Sequence, residues 1–226
     1  MKTKKPRSRR RNFHCGDVYH IYQRGNYRQD VFFTATHLLI YLRRIALLAD
    51  RYHIRLHAFC LMSNHIHFLV ETSRKDGISR FMQQLQAYHA RLIHSDQNQD
   101  GHLWKNRFGH TRITSPAHYR HTMLYIERNP LQAKMVTRAE YYPYSSAAAH
   151  VANSPLAVIG HGQSQVQIPL FLDRWQLECE PATWRQALMD HQLPDILQAI
   201  QLILRRDRLT PLLPNSLPPP SSVAHA

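Results

Sequence analysis

The chain reads as an α+β domain built on an antiparallel sheet, and three observations carry that reading. Apolar residues alternate with period two over residues 17–25, 54–61 and 65–71. They recur with helical spacing over residues 36–52, 78–94 and 115–128. Only Met62-Ser63-Asn64 separates the second strand from the third. A connection that short makes an antiparallel hairpin, because parallel strands need a crossover of about a dozen residues.

Asp17–Gly25 is rich in β-branched and aromatic residues and forms the first strand. Val18, His20 and Tyr22 share one face; Tyr19 and Ile21 share the other. Gly25-Asn26 ends the strand, where a glycine relieves a turn or lets backbone approach a phosphate. The first helix has Thr36 as N-cap and Leu38, Leu39, Leu42, Ile45 and Leu48 on its core stripe. The second strand places Ile54, Leu56, Ala58 and Cys60 on one face. In the second helix Ile78, Phe81, Met82, Leu85, Tyr88 and Leu92 form the apolar stripe, which makes Tyr88 a core residue before it is a candidate nucleophile. Residues 95–101 are a polar loop and 110–113 a last strand. Ser115-Pro116 opens the third helix as N-cap and first helical residue, and Asn129-Pro130 closes it at Arg128. Leu131–Val136 add a further helical turn, and Tyr141–Ser146 turn across the core edge.

Composition bounds the function. The 226 residues are 43% hydrophobic, enough for a core, and carry a formal charge of +14 with pI near 10.1. Such an excess calls for a polyanionic partner, most commonly nucleic acid. Three scattered cysteines without a C-x-x-C suggest a reduced, cytoplasmic protein. No apolar run is long enough to span a membrane, and the basic N-terminus lacks the apolar segment of a secretory signal. Residues 1–12 read as a basic disordered arm and 13–150 as the folded domain. Residues 151–208 read as an irregular extension with short helices near 171–178 and 195–206, and 209–226 as a Pro-rich disordered tail.

The chemistry gathers at the hairpin and in the third helix. His65 and His67 lie two apart in a strand, so both imidazoles project from one face, which makes half of a metal site. The chain has 17 histidines, so an unrelated pair is also compatible with the spacing. Tyr125 and Asn129 lie one helical turn apart on one face. If that face meets the histidine strand, two imidazoles and an amide oxygen can hold a cation beside a phenol. In Trp104-Lys105-Asn106-Arg107-Phe108, aromatic and basic side chains alternate. That pattern suits a nucleic-acid surface, or equally a buried indole with a solvated charged rim.

Met62-Ser63-Asn64-His65-Ile66-His67 resembles the His-hydrophobic-His motif of the single-tyrosine (HUH) transposases of small bacterial insertion sequences. Tyr125-Ile126-Glu127-Arg128-Asn129-Pro130 is similar to their catalytic-helix motif, and Arg24-Gly25-Asn26 and Trp104–Phe108 match the REP-associated subgroup. The resemblance covers about residues 13–150. It implies a ferredoxin-like core, with an antiparallel sheet and helices packed on one face. It further implies cleavage and transfer of single-stranded, hairpin-containing DNA with Mg²⁺ or Mn²⁺. By position, Tyr125 is the nucleophile, forming a covalent 5′-phosphotyrosine, and His65, His67 and Asn129 are the metal ligands. Arg24, Asn26, Trp104, Lys105, Arg107 and Arg112 are candidate DNA contacts. Tyr88 and Tyr119 are the next candidate nucleophiles. The resemblance leaves open a monomer or a homodimer with exchanged tyrosine helices. Two other readings stand beside it: a non-catalytic DNA or RNA hairpin-binding protein of the same fold, and a zinc-stabilised structural or RNA-binding domain.

Overall fold

The computed structural model describes residues 11–160, 164–174, 179 and 181–190. Its core runs β1 (Val18–Arg24), α1 (Ala35–Arg51), β2 (Ile54–Met62), β3 (His65–Thr72), α2 (Gly77–Gln97), β4 (Gly109–Arg112) and α3 (Pro116–Gln132). The four strands form one antiparallel sheet in the order β2-β3-β1-β4, the ferredoxin-like arrangement of a βαββαβ unit.

β3 sits inside the sheet and every residue of it is buried. Period two therefore splits its side chains between two covered faces. Phe68 packs against Phe81 of α2, while His67 on the opposite face meets Tyr125 of α3. Helices α1 and α2 thus cover one face and α3 the other, where the sequence resemblance implied helices on one face only. Apolar Ile66, Phe68 and Val70 join the larger core, and His65, His67, Leu69 and Glu71 look toward α3.

Three local expectations change. The cap of α1 is Thr34, whose hydroxyl accepts from the His37 amide, so the helix starts two residues earlier than a cap at Thr36 allows. In β2 a bulge at His57 shifts the register between Leu56 and Ala58. Leu56 opposes Val70, but Ala58 opposes Leu69 and Cys60 opposes His67. The extra residue flips the alternation, so Ile54 and Leu56 do not share a face with Ala58 and Cys60. Pro130 does not stop α3 at Arg128; the helix runs on to Gln132 with Pro130 inside and buried. A proline disfavours the helical conformation of its predecessor without forbidding it, and here the surrounding residues are packed.

Residues after 150 also contain more order than their Gly/Ser/Gln-rich composition suggested. β5 (Leu156–Ile159) and β6 (Val166–Pro169) form an antiparallel hairpin whose buried face, Ala157, Ile159, Val166 and Ile168, belongs to the core. The strands are four residues long, too short for periodicity to stand out. A short helix α4 (Ala147–Val151) precedes them, and α5 (Pro181–Met189) follows. Of the helix expected at 171–178, Asp173 and Arg174 are helical and 175–178 lie outside the described residues, as do the helix expected at 195–206, the Pro-rich tail and residues 1–10. Among the described residues no helix is long and apolar enough to cross a membrane.

Glu127 ties this C-terminal part to α3. Its carboxylate is fully buried and accepts from Ser146 Oγ at 2.5 Å, from His150 Nδ1, and from the Trp184 indole at 2.9 Å. A buried carboxylate is tolerated only when its oxygens are occupied in this way. Replacing it by alanine would remove the acceptor shared by these three buried donors. Glu127→Ala is therefore expected to cost about 3 kcal/mol of folding stability. Trp184→Phe, which removes one donor and shrinks the buried ring, should cost about 2 kcal/mol. Denaturant titration of the two variants checks both values.

Candidate active site

The hairpin of β2 and β3 closes on Ser63-Asn64, and Asn64 is a framework residue. Its side-chain amide donates to the Arg28 carbonyl at 3.3 Å, which leaves its oxygen toward His65 Nδ1 at 2.6 Å. A neutral imidazole has one N–H, and the shorter contact takes it, so His65 donates from Nδ1 to Asn64 Oδ1. His65 Nε2 is then a bare lone pair. At 3.2 Å it faces Asn129 Oδ1. The Asn129 amide nitrogen donates to the Tyr125 carbonyl at 3.2 Å, so its oxygen is also an acceptor with no proton to offer. Two lone pairs are therefore turned on each other.

His67 repeats the pattern. Its Nδ1 lies 3.0 Å from Nε2 of His20 in β1, with the rings stacked at 5.1 Å, and its Nε2 is buried without a hydrogen-bond partner among the described residues. In the tautomer in which Nδ1 donates to His20, Nε2 presents a second bare lone pair. All three imidazoles are held neutral. Burial pushes the pKa of His20 down to about 3 and that of His65 down to about 4, and pushes His67 well below its ordinary 6.5. Neighbouring His65 and His20 lower His67 further. Neutral imidazole is the form that ligates a metal.

Tyr125 lies across this cluster. Its ring stands edge-on to His67 at 5.3 Å and to His20 at 5.9 Å. It is 4% exposed, and burial raises its phenol above the usual 10, an effect that Asn129 partly offsets. Its rivals are elsewhere. Tyr119 is buried one to two turns up α3, its hydroxyl 2.9 Å from His57. Tyr88 is on α2, across the sheet, with the Arg44 guanidinium over its ring.

The donor set fits a divalent ion. Ligands at right angles on bonds of about 2.1 Å stand about 3.0 Å apart, close to the 3.2 Å between His65 Nε2 and Asn129 Oδ1. No group of three or more His, Cys, Asp or Glu arranged for a metal occurs among the described residues. The set here is two imidazoles and an amide, and His20 does not join it because its Nε2 is spent on His67.

The candidate DNA contacts divide. Arg24, Lys105 and Arg107 line one cleft with Tyr22, Gln23, Asn106 and Gly109. The cleft exists because residues 103–107 pair with the end of β1. Asn26 N–H donates to Leu103 O, Lys105 N–H to Arg24 O, and the Gln23 amide to Asn106 O. Gly109 admits no side chain, since a Cβ would stand 2.2 Å from the Tyr22 ring. Arg11 lies over Phe108, and burial together with Arg107 lowers its pKa to about 10. Trp104 is half-buried against His89, at 5.9 Å. Asn26 serves the turn with its backbone, and Arg112 is placed apart, paired with Asp17 at 2.7 Å.

With this geometry in view, similarity to known proteins becomes informative. The sequence family described as "Transposase IS200 like" matches residues 16–129, half of the chain. The chain belongs to the IS200-like transposases. The matched segment contains every residue of the cluster just described, from His20 to Asn129. Among solved structures, the IS200-like chain is similar to a REP-associated tyrosine transposase bound to a REP hairpin, with a TM-score of 0.53 and 20% identity over 65% of this chain and 86% of that one. A crystal structure of a transposase candidate from Deinococcus radiodurans R1 aligns with TM-score 0.35 and 22% identity over 52% of this chain and 91% of that one. No curated protein sequence matches the chain.

Sequence reasoning passed over His20 as a site residue. Its one available signal was its place on the Val18/His20/Tyr22 face, which becomes the α3 side only once β1 pairs with β3 in the register Tyr22↔His67. The hydrogen-bond pattern predicts that ¹⁵N NMR at neutral pH finds His65 protonated on Nδ1 and not on Nε2. Asn64→Ala should remove that preference.

Proposed function

We propose that this transposase cuts and rejoins single-stranded DNA beside a hairpin through a covalent 5′-phosphotyrosine on Tyr125. The observation that carries the proposal is that one chain assembles Tyr125, His65, His67 and Asn129 on the same side of the sheet. The set is complete within one chain, which supports the monomer over the dimer with exchanged tyrosine helices.

His65 Nε2, His67 Nε2 and Asn129 Oδ1 would hold a divalent cation, Mn²⁺ suiting the two imidazoles and Mg²⁺ depending more on phosphate oxygens to complete its shell. Such an ion supplies Lewis-acid polarisation of a phosphate oxygen and offsets the charge that develops there. The chain's own groups do the rest. Asn64 fixes the tautomer of His65 and His20 engages Nδ1 of His67, so both Nε2 atoms are left for the ion. Asn129 spends its N–H on the Tyr125 carbonyl, which holds its oxygen toward His65. The Tyr125 oxygen forms a bond to phosphorus as the bond to O3′ breaks; the phenol loses a proton and the departing O3′ gains one. The new phosphoester keeps the energy of the old, so attack by another 3′-hydroxyl reverses it onto a new strand. Because Tyr125 is 4% exposed, its ring or the end of α3 must swing outward when the strand enters.

The cationic cleft beside β1 would track the strand's phosphates. With Arg11, Arg24, Lys105 and Arg107 each neutralising one, the logarithm of affinity for single-stranded DNA should fall with the logarithm of salt at a slope of roughly −3, and at roughly −1.4 in the double variant Lys105→Ala/Arg107→Ala. Fluorescence anisotropy over a salt series measures both.

The chemistry is tested by incubating the protein with Mn²⁺ and single-stranded palindromes from DNA flanking its gene. A covalent protein–DNA adduct should survive denaturing gels, vanish with chelator and be lost in Tyr125→Phe. Chelator-insensitive binding with no adduct would instead favour the non-catalytic hairpin-binding protein. Unfolding on chelation would favour the zinc-stabilised domain.

A further inference from the structure

Tyr27 is the most exposed large hydrophobic side chain among the described residues, at 94%. Its backbone is left-handed, with φ 48° and ψ 23°, and Arg28 after it has φ 64°. A tyrosine gains nothing from solvent and pays for that conformation, which glycine would adopt without strain. The turn that holds it is rigid. Gly25 N–H donates to Asn64 O at 2.8 Å, Asn26 N–H to Leu103 O at 2.8 Å, and Gln29 N–H to Asn26 O at 2.9 Å. The Asn64 side chain donates to the Arg28 carbonyl. A Cβ at Gly25 would stand 2.2 Å from the Gln29 carbonyl oxygen, so the turn closes tightly there. Through Leu103 the turn is bonded to the segment that forms the cationic cleft, and through Asn64 to the residue that orients His65.

We propose that Tyr27 is a stacking platform for one unpaired nucleobase of the strand lying beside the hairpin; this rests on the strand-transfer reading above. The surroundings favour a base over a protein partner. Its sequence neighbours Asn26, Arg28, Gln29 and Asp30 are polar or charged, and the other exposed large hydrophobics among the described residues, Leu47, Tyr141, Leu156 and Val158, belong to other elements of the chain. An exposed ring on a turn that is bonded to the cationic cleft instead matches the two needs of single-stranded DNA, a π-face for the base and positive charge for the phosphates. Fixing the ring on a bonded turn reduces the ordering cost of binding.

The test uses a synthetic hairpin with unpaired flanks, in which each flanking base in turn is replaced by 2-aminopurine. The wild-type protein should quench one position. Tyr27→Gly should abolish that quenching and weaken binding to the flanked hairpin about tenfold, since one stacked base contributes about that factor or more. Tyr27→Phe and Tyr27→Trp should retain both. Tyr27→Gly relieves the left-handed strain, so its thermal midpoint should equal or exceed the wild-type value, which separates lost stacking from lost fold. A hairpin without flanks should bind wild type and Tyr27→Gly alike. Unchanged quenching and affinity in Tyr27→Gly overturn the proposal, as does an equal loss on the hairpin lacking flanks. Adduct formation is scored in the same samples. A wild-type adduct with no Tyr27-dependent quenching sinks the platform alone, and Tyr27-dependent quenching with no adduct sinks the strand-transfer reading alone.

Discussion

A central strand covered on both faces has to divide its side chains by parity, and β3 does so without exception. Its even residues, Ile66, Phe68 and Val70, belong to the apolar layer under α1 and α2, with Phe68 against Phe81. Its odd residues look toward α3, and two of them are histidines. A slip of one residue would drive both imidazoles into the apolar layer and bring Phe68 to the candidate site. The pairing of β1, Tyr22↔His67 and Arg24↔His65, holds that register from one side, and the Ser63-Asn64 turn holds it from the other.

Burying imidazoles under a helix is costly, and the structure limits the cost by keeping them neutral and by giving each a partner for one nitrogen. Asn64 takes His65 and His20 takes His67. The second nitrogens are left inward, that of His65 against an amide oxygen and that of His67 without a hydrogen-bond partner among the described residues. A hydrophobic core does not retain such groups for its own stability. On the function proposed above, their alignment is what would hold the cation that meets a phosphate.

The far side of α3 has the opposite requirement. Glu127, two residues from Tyr125, is anchored by Ser146, His150 and Trp184, which come from outside the sheet. The C-terminal part therefore acts on the tyrosine helix directly, fixing its rotation so that Tyr125 and Asn129 face the β3 histidines while Glu127 meets Ser146 beside the edge of β2. His57 and Tyr119 make a second tie further along the same helix. Between them these contacts keep Tyr125 buried, so the chemistry proposed above requires the ring or the end of α3 to move.

The local elements were legible in the sequence because backbone preference and periodicity act over a few residues. The hairpin at 62–64, the parity of His65 and His67, and the one-turn spacing of Tyr125 and Asn129 needed nothing else, and the motifs pointed to the family. Tertiary structure decided what depends on partners distant in the chain. His20 entered the cluster only through strand pairing, the bulge at His57 reversed a face that simple alternation had assigned, and α3 passed through Pro130 because packing outweighs one residue's preference. The hairpin at 156–169 and the Trp184 anchor were hidden for a related reason: strands of four residues carry little periodic signal, and one indole reaching a carboxylate carries none. Local preferences determined which side chains could meet; only the packing of α3 across the sheet determined that they do.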